Sequence, residues 1–265
     1  MDGRVRQSLN TAPSEGSDSW CVRWRRVPGA RLRLFCLPHA GGGATVFRQW
    51  AQYLAPEIEV IAIRLPGRET RRGEIPFTSV DDLVPALMAA IRPWIDRPYA
   101  WFGHSLGALV AFEACRAARR LCQAEPTCLV VSGNPAPHVP PREGLAPGAP
   151  ASEFVAKLKE LSGTPVELLN NPSALSSILP TLRADYTMVE TYTCREEPPL
   201  DCPITILGGI GDHSTSFEEL DGWKRHTTAG AVVRMIPGGH FFVAESIGDV
   251  LPVVAADIRA ASGGR

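Results

Sequence analysis

One serine in this chain lies between two glycines, at the junction of an apolar run and a helix-like stretch. The segment reads Gly103-His104-Ser105-Leu106-Gly107; the apolar run 99–102 precedes it and an alanine-rich stretch follows it. A sharp turn from strand to helix brings two backbones together, so only residues without bulk fit beside the serine. The serine itself must take a strained conformation. The pattern therefore predicts a nucleophilic hydroxyl projecting above the edge of a sheet.

A strand, such a turn and a helix form the nucleophile elbow of an α/β-hydrolase. Strand-like runs recur along the chain, and segments of helical period lie between most of them. We predict strands at Leu32–Leu37, Glu59–Ile63, Tyr99–Phe102, Cys128–Ser132, Ile204–Leu207 and Val232–Ile236, and helices at Phe47–Leu54, Val80–Ile95 and Leu106–Leu121. The alternation favours an α/β-hydrolase fold, with a mostly parallel central sheet flanked by helices.

The domain organisation follows from breaks in this alternation. Residues 1–19 are polar and without periodicity, and we expect a disordered leader. Residues 20–265 are expected to form one hydrolase domain, interrupted over about 134–201 by a Pro-rich loop and two or three helix-like segments. That insertion has the character of a helical lid. Its apolar stripe, which includes Phe154 and Leu182, indicates either packing of lid on core or an acyl-chain tunnel.

The composition excludes several classes of function. The 265 residues carry a net charge of −1, which gives no electrostatic reason to bind nucleic acid or an anionic membrane. No stretch reaches the roughly 18 apolar residues of a membrane span, and the start has no secretory h-region, so we expect a cytoplasmic protein. Seven cysteines show no metal-ligand spacing. We expect no metal site, and a monomer is the default expectation for the oligomeric state.

A serine nucleophile needs a general base and an acid that orients it, and in this fold they follow in the order acid, then histidine. Of the six histidines, His240 lies in a glycine-rich loop after the last predicted strand, and we predict it as the base. Asp212 is the carboxylate in the loop after the strand at Ile204–Leu207, and we predict it as the acid. His104, His138 and His226 are interpreted as structural.

Two backbone amides should stabilise the oxyanion of an acyl-transfer reaction. One is expected from Leu106, directly after the nucleophile. The other should come from the glycine-rich loop Leu37–Gly43, which follows the first core strand. We predict Ala40 as this donor, with His39 or Gly41 as alternatives.

The chain resembles the type II thioesterases, the discrete editing enzymes of polyketide and nonribosomal peptide synthases. Five blocks carry the resemblance, in one order: Leu34 to Gly42, Leu65-Pro66-Gly67-Arg68-Glu69, Phe102 to Gly107, Leu182-Arg183-Ala184-Asp185-Tyr186 and Gly238 to Phe242. The resemblance implies hydrolysis of acyl thioesters on the phosphopantetheine arm of acyl or peptidyl carrier domains, with no cofactor. One departure is the segment Gly211-Asp212-His213-Ser214-Thr215, where similar proteins often have a second aspartate near the acid.

Some alternatives stay open. The same catalytic residues would serve a carboxylesterase or lipase, and the fold also occurs in ligand receptors without turnover. The arginines around Pro66-Gly67 belong either to a solvated loop, neutralised by Glu69 and Glu74, or to a docking surface for a carrier domain. These arginines are Arg64, Arg68, Arg71 and Arg72.

Overall fold

A seven-stranded sheet forms the centre of the described part of the chain, in a computed structural model that describes residues 19–140, 149–160 and 171–263. The strands are β1 (Cys21–Val22), β2 (Leu32–Leu37), β3 (Ile58–Ile63), β4 (Tyr99–His104), β5 (Leu129–Ser132), β6 (Ile204–Gly209) and β7 (Ala231–Ile236). Their order is β1-β3-β2-β4-β5-β6-β7. Strand β1 is antiparallel to β3, and the other neighbours are parallel. This confirms the predicted fold class.

Helices lie between the strands, as parallel connections require. They are α1 (Trp50–Tyr53), α2 (Val80–Ile91), α3 (Leu106–Arg120), α4 (Ala151–Glu160), α5 (Pro172–Thr191), α6 (Phe217–Asp221), α7 (Phe242–Glu245) and α8 (Ile247–Gly263). Helices α4 and α5 belong to the predicted lid. None of the helices in the described ranges has the length and apolarity that a bilayer crossing requires.

The sheet is buried on both faces because its residues alternate between two apolar cores. In β2, Phe35 and Leu37 join the core formed with α2 and α3, whereas Leu34 and Cys36 join the core formed with α1 and α8. Both faces of β2 are therefore apolar, as expected for a central parallel strand. The two cores fix the register of the sheet, and with it the positions of the loops at the strands' carboxyl ends.

The predicted strands match the observed ones within two residues at each end, but the remaining differences have physical causes. Strand β1 was not predicted, because two residues are too short for an alternating pattern. The predicted helix Phe47–Leu54 is instead a 3₁₀ turn, Ala44–Phe47, followed by the single turn of α1. Residues 1–18 of the expected leader and residues 141–148 and 161–170 of the expected lid lie outside the described residues.

The turn between β4 and α3 is the tightest backbone packing near the sheet's carboxyl edge. A Cβ atom on Gly103 would lie 2.0 Å from the carbonyl oxygen of Gly107, and one on Gly107 would lie 2.3 Å from the carbonyl oxygen of Leu37. Both contacts are with backbone, which cannot move aside as a flexible side chain can. The glycines therefore allow α3 to begin directly against the ends of β2 and β4.

We predict that Gly103→Ala lowers the free energy of unfolding by at least about 2 kcal/mol, because the added methyl group overpacks backbone against backbone. The matched control is Gly248→Ala in α8, where an added Cβ meets nothing within 4 Å. There alanine should leave stability unchanged or raise it by up to about 1 kcal/mol. Urea denaturation of both variants measures the difference, and equal stabilities would contradict this account of the turn.

Candidate active site

Ser105 occupies the turn between β4 and α3 with φ +54° and ψ −121°. A positive φ is rare for a residue with a side chain and stores strain, which the surrounding structure must overcome. The Ser105 amide donates to the carbonyl oxygen of Ser132, 2.8 Å away at the end of β5, and so fixes the turn to the sheet. The serine stands at the amino end of α3, where the first amides have no partner within the helix.

His240 and Asp212 come from two neighbouring loops and meet directly. Nδ1 of His240 lies 2.8 Å from Oδ2 of Asp212. The loops are tied together by the Gly211 amide, which donates to the carbonyl oxygen of Gly238 over 2.8 Å. The bond from His240 is a main reason that the pKa of Asp212 lies below its usual value, although burial opposes this shift. Asp212 is therefore an ionised partner for the imidazole at neutral pH.

Ser214 contacts both members of this pair, and sequence reasoning gave it no role. Its hydroxyl donates to Oδ1 of Asp212 over 2.6 Å, and its amide donates to the same oxygen over 2.8 Å. The hydroxyl oxygen lies 3.1 Å from Nδ1 of His240. A serine two residues after an aspartate is common in turns, so the sequence held no signal that this hydroxyl would reach the histidine.

Two further imidazoles lie behind His240, and both are neutral at pH 7. The rings of His104 and His240 have centroids 5.1 Å apart, and those of His39 and His104 are 5.9 Å apart. Burial and the neighbouring His240 lower the pKa of His39 to about 4, and burial lowers that of His104. Nδ1 of His104 contacts Oγ of Ser132 at 3.0 Å. His104 thus links the turn at Ser105 to His240 through packing, in agreement with its interpretation as structural.

The glycine-rich loop after β2 lies beside the turn because β2 and β4 are neighbours in the sheet. In this loop the Gly41 amide donates to Oδ2 of Asp185 over 2.7 Å, and the Gly42 amide donates to the carbonyl oxygen of His39 over 2.9 Å. Gly41 is therefore occupied and is not the free donor that the sequence left open as an alternative. Within the described ranges the Ala40 amide has no such acceptor.

A buried ion pair connects the lid to this loop. Asp185 on α5 is fully buried, and its oxygens accept from Nη2 and Nη1 of Arg68 at 2.8 and 3.0 Å. Arg68 also donates to the carbonyl oxygen of Gly42 over 3.0 Å. Next to it, the Thr181 hydroxyl donates to the carbonyl oxygen of Gly67 over 2.6 Å. The lid helix, the glycine loop and the loop after β3 therefore share one hydrogen-bond network.

This network corrects one interpretation of the arginine-rich loop. Arg68 and Arg71 are each only 6% exposed, so neither belongs to a solvated loop or offers a free docking surface. Arg71 pairs with Glu74 and stacks on the Trp20 ring at 4.2 Å. Arg64 pairs with Glu69, so both glutamates neutralise arginines of this loop, as the sequence indicated. The burial of Arg68 could not be seen in the sequence, because its partner Asp185 comes from α5.

Part of the lid's apolar stripe is buried. Phe154 and Leu158 on α4 pack with Leu182 on α5, together with partly buried side chains of α5 that include Tyr186. A Cβ atom on Gly41 would lie 2.5 Å from Cδ2 of Leu182, so the glycine loop and the lid helix are in close contact. The apolar stripe therefore packs the lid against the core, which is one of the two alternatives that the sequence left open.

Sheet order, a strained serine after β4 and a paired histidine and aspartate after β7 and β6 define an α/β-hydrolase. The sequence model of the thioesterase family, described as "Thioesterase domain", matches residues 32–261. The chain belongs to this family, and it is a thioester hydrolase.

Named relatives agree with this assignment. Gramicidin S biosynthesis protein GrsT of Aneurinibacillus migulanus is 38% identical over 242 residues, covering 91% of this chain and 94% of that protein. Thioesterase PikA5 of Streptomyces venezuelae is 38% identical over 228 residues, covering 86% and 81%. The structure of the type II thioesterase BorB from the borrelidin biosynthetic cluster superposes with a TM-score of 0.83 at 36% identity, covering 91% of this chain and 98% of that one.

We predict that Asp185→Asn lowers the free energy of unfolding by about 3 to 5 kcal/mol, because it leaves the buried Arg68 without its counter-charge. The control is Arg195→Gln, which removes an ion pair to Asp81 whose side chains are 71% and 67% exposed. That change should cost less than about 0.5 kcal/mol. Urea denaturation gives both values, and a small effect at Asp185 would show that the pair does not hold the lid.

Acid should destabilise the fold through His39. Its pKa is about 4 in the folded chain and near 6.5 when unfolded, so between these values the unfolded state binds more protons and stability falls as pH falls. The contribution has a slope of up to about 1.4 kcal/mol per pH unit. We expect His39→Gln to flatten this dependence between pH 6.5 and 4, measured by urea denaturation at several pH values. Parallel curves for the two proteins would refute the assignment.

Proposed function

We propose that Ser105, His240 and Asp212 are the catalytic triad of an editing thioesterase. The observation that carries the proposal is the 2.8 Å contact between Nδ1 of His240 and Oδ2 of Asp212, with the His240 ring packed 5.1 Å from the ring of His104, the residue before Ser105. An ionised carboxylate on Nδ1 keeps a proton there and leaves Nε2 free to act as a base. A serine hydroxyl is a weak nucleophile at neutral pH and needs such a base.

The proposed reaction runs in two halves. Oγ of Ser105 attacks the thioester carbonyl carbon while Nε2 of His240 takes the hydroxyl proton. The tetrahedral oxyanion collapses, the carbon–sulfur bond breaks, and His240 returns the proton to the departing thiolate. A water molecule, deprotonated by His240, then attacks the acyl-serine ester, and the free acid and the serine hydroxyl are released. The balance requires only water, so the proposal includes no metal or cofactor.

The oxyanion is proposed to bind the amides of Leu106 and Ala40. Leu106 is the first residue of α3, where backbone amides are available to an anion. Ala40 precedes Gly41, whose own amide is bound by Asp185. This bond and the contacts of Arg68 support a rigid loop, and preorganised donors are what oxyanion stabilisation needs.

We propose acyl or peptidyl carrier domains of a synthase as the partners, with the acyl group on their phosphopantetheine arm. Support comes from the names of two relatives. GrsT is named as a protein of gramicidin S biosynthesis, and PikA5 is named as a thioesterase. The biological role would be removal of acyl groups that block a carrier.

We predict that Ser105→Ala lowers thioester hydrolysis by at least about 10³-fold, because the nucleophile is lost while folding is not affected. Mass spectrometry of a panel of acylated carrier domains, before and after incubation, measures the reaction. The matched control is Ser176→Ala, an exposed serine on α5, which should retain wild-type turnover.

Three outcomes would reject parts of this proposal. Carriers that stay acylated with the wild-type enzyme would reject the partner. Preference for an oxygen ester over the matched thioester would favour a carboxylesterase or lipase. Fluorophosphonate labelling of wild-type protein, absent in Ser105→Ala, tests the nucleophile without a carrier. A folded wild-type protein that is not labelled would favour a ligand receptor without turnover.

A further inference from the structure

The two oxygens of Asp212 are bound by different groups. Oδ2 accepts from His240, whereas Oδ1 accepts twice from Ser214, through its hydroxyl at 2.6 Å and its amide at 2.8 Å. Without the hydroxyl, Oδ1 would be held by the Ser214 amide alone, and the orientation of the carboxylate would depend on one donor at each oxygen. The hydroxyl adds a second donor of different direction, so the plane of the carboxylate is fixed toward His240.

The direction of the Ser214 hydroxyl proton follows from its neighbours. Oγ lies 2.6 Å from the Asp212 carboxylate, 3.4 Å from the Thr215 hydroxyl and 3.1 Å from Nδ1 of His240. A charged acceptor at the shortest distance outcompetes the two neutral ones, which are about 0.5 and 0.8 Å further away. The proton therefore points to Asp212, and only lone pairs of Oγ remain for His240.

This leaves Nδ1 of His240 facing two acceptors, Oδ2 of Asp212 and Oγ of Ser214. Nδ1 must then carry the proton, which it shares between them, and Nε2 must be unprotonated in the neutral ring. The other titratable rings nearby are His104 and His39, which are buried and neutral and offer no competing charge. The arrangement selects the tautomer that a general base requires.

We propose that Ser214 is a positioning residue that acts through Asp212 and His240: its hydroxyl orients the carboxylate and, with it, holds the proton of the imidazole on Nδ1. The inference rests on the proposed catalytic triad. Ser214 touches no substrate in this role, so its removal should slow the chemical steps without weakening binding. The same hydroxyl also helps to keep Asp212 ionised, because a donor to a carboxylate favours its charged form.

The test compares Ser214→Ala, which removes the hydroxyl, with Ser214→Thr, which retains it. With an acylated carrier domain as substrate, we expect Ser214→Ala to lower kcat about tenfold, the loss typical of a hydrogen bond to a charged group, and to change KM less than twofold. Ser214→Thr should stay within about threefold of wild type. Ser216→Ala is the control, since this serine caps α6 by accepting from the Glu219 amide and makes no contact with Asp212.

A second readout does not depend on turnover. In a pH titration of the Asp212 carboxyl carbon by ¹³C NMR, the pKa of Asp212 should rise in Ser214→Ala relative to wild type and stay unchanged in Ser214→Thr and Ser216→Ala. An unchanged kcat in folded Ser214→Ala overturns the proposal, and so does an unchanged Asp212 titration. If the wild-type protein hydrolyses no acyl-carrier, the proposed function fails, whereas the titration still decides whether the hydroxyl controls the carboxylate.

Discussion

The close approach of three backbone segments at the end of β4 is the constraint on which the rest of this structure depends. Gly103 and Gly107 let α3 start against the last carbonyl groups of β2, with no room for a Cβ atom at either position. Ser105, at the centre of that approach, takes a positive φ of +54°. The same approach also brings the glycine loop after β2 beside the first turn of α3. The proposed nucleophile and the proposed amide donors thus come from one packing arrangement.

An ion pair, and not only apolar contact, holds the lid helix α5 against the glycine loop after β2. Burying Arg68 and Asp185 costs desolvation energy, which is offset by two mutual hydrogen bonds and by bonds to Gly41 and Gly42. An apolar pair of the same volume could pack as tightly, but it could not hold the Gly41 amide. The ion pair therefore links the position of α5 to the shape of the loop that is proposed to bind the oxyanion.

Much of this could be predicted from sequence, because the information was local. The strands are continuous apolar runs, and five consecutive residues, Gly103 to Gly107, determine the turn at Ser105. Asp212 and His240 were found from the order in which loops follow strands, and the structure brings their side chains together. What could not be predicted are contacts between distant segments. Asp185 was noticed only within a motif, Arg68 was expected either in a solvated loop or on a docking surface, and Ser214 gave no sign of reaching His240.

The central claim is that the Ser105 hydroxyl forms an ester with the acyl group, and that water then hydrolyses this ester. Its most direct test is rapid quenching of the enzyme with an acylated carrier domain, followed by mass spectrometry of the intact protein and its peptides. The account predicts a transient acyl adduct on the peptide that contains Ser105, formed and lost at rates that match turnover. Hydrolysis at full rate with no adduct, or with the adduct on another residue, would contradict it.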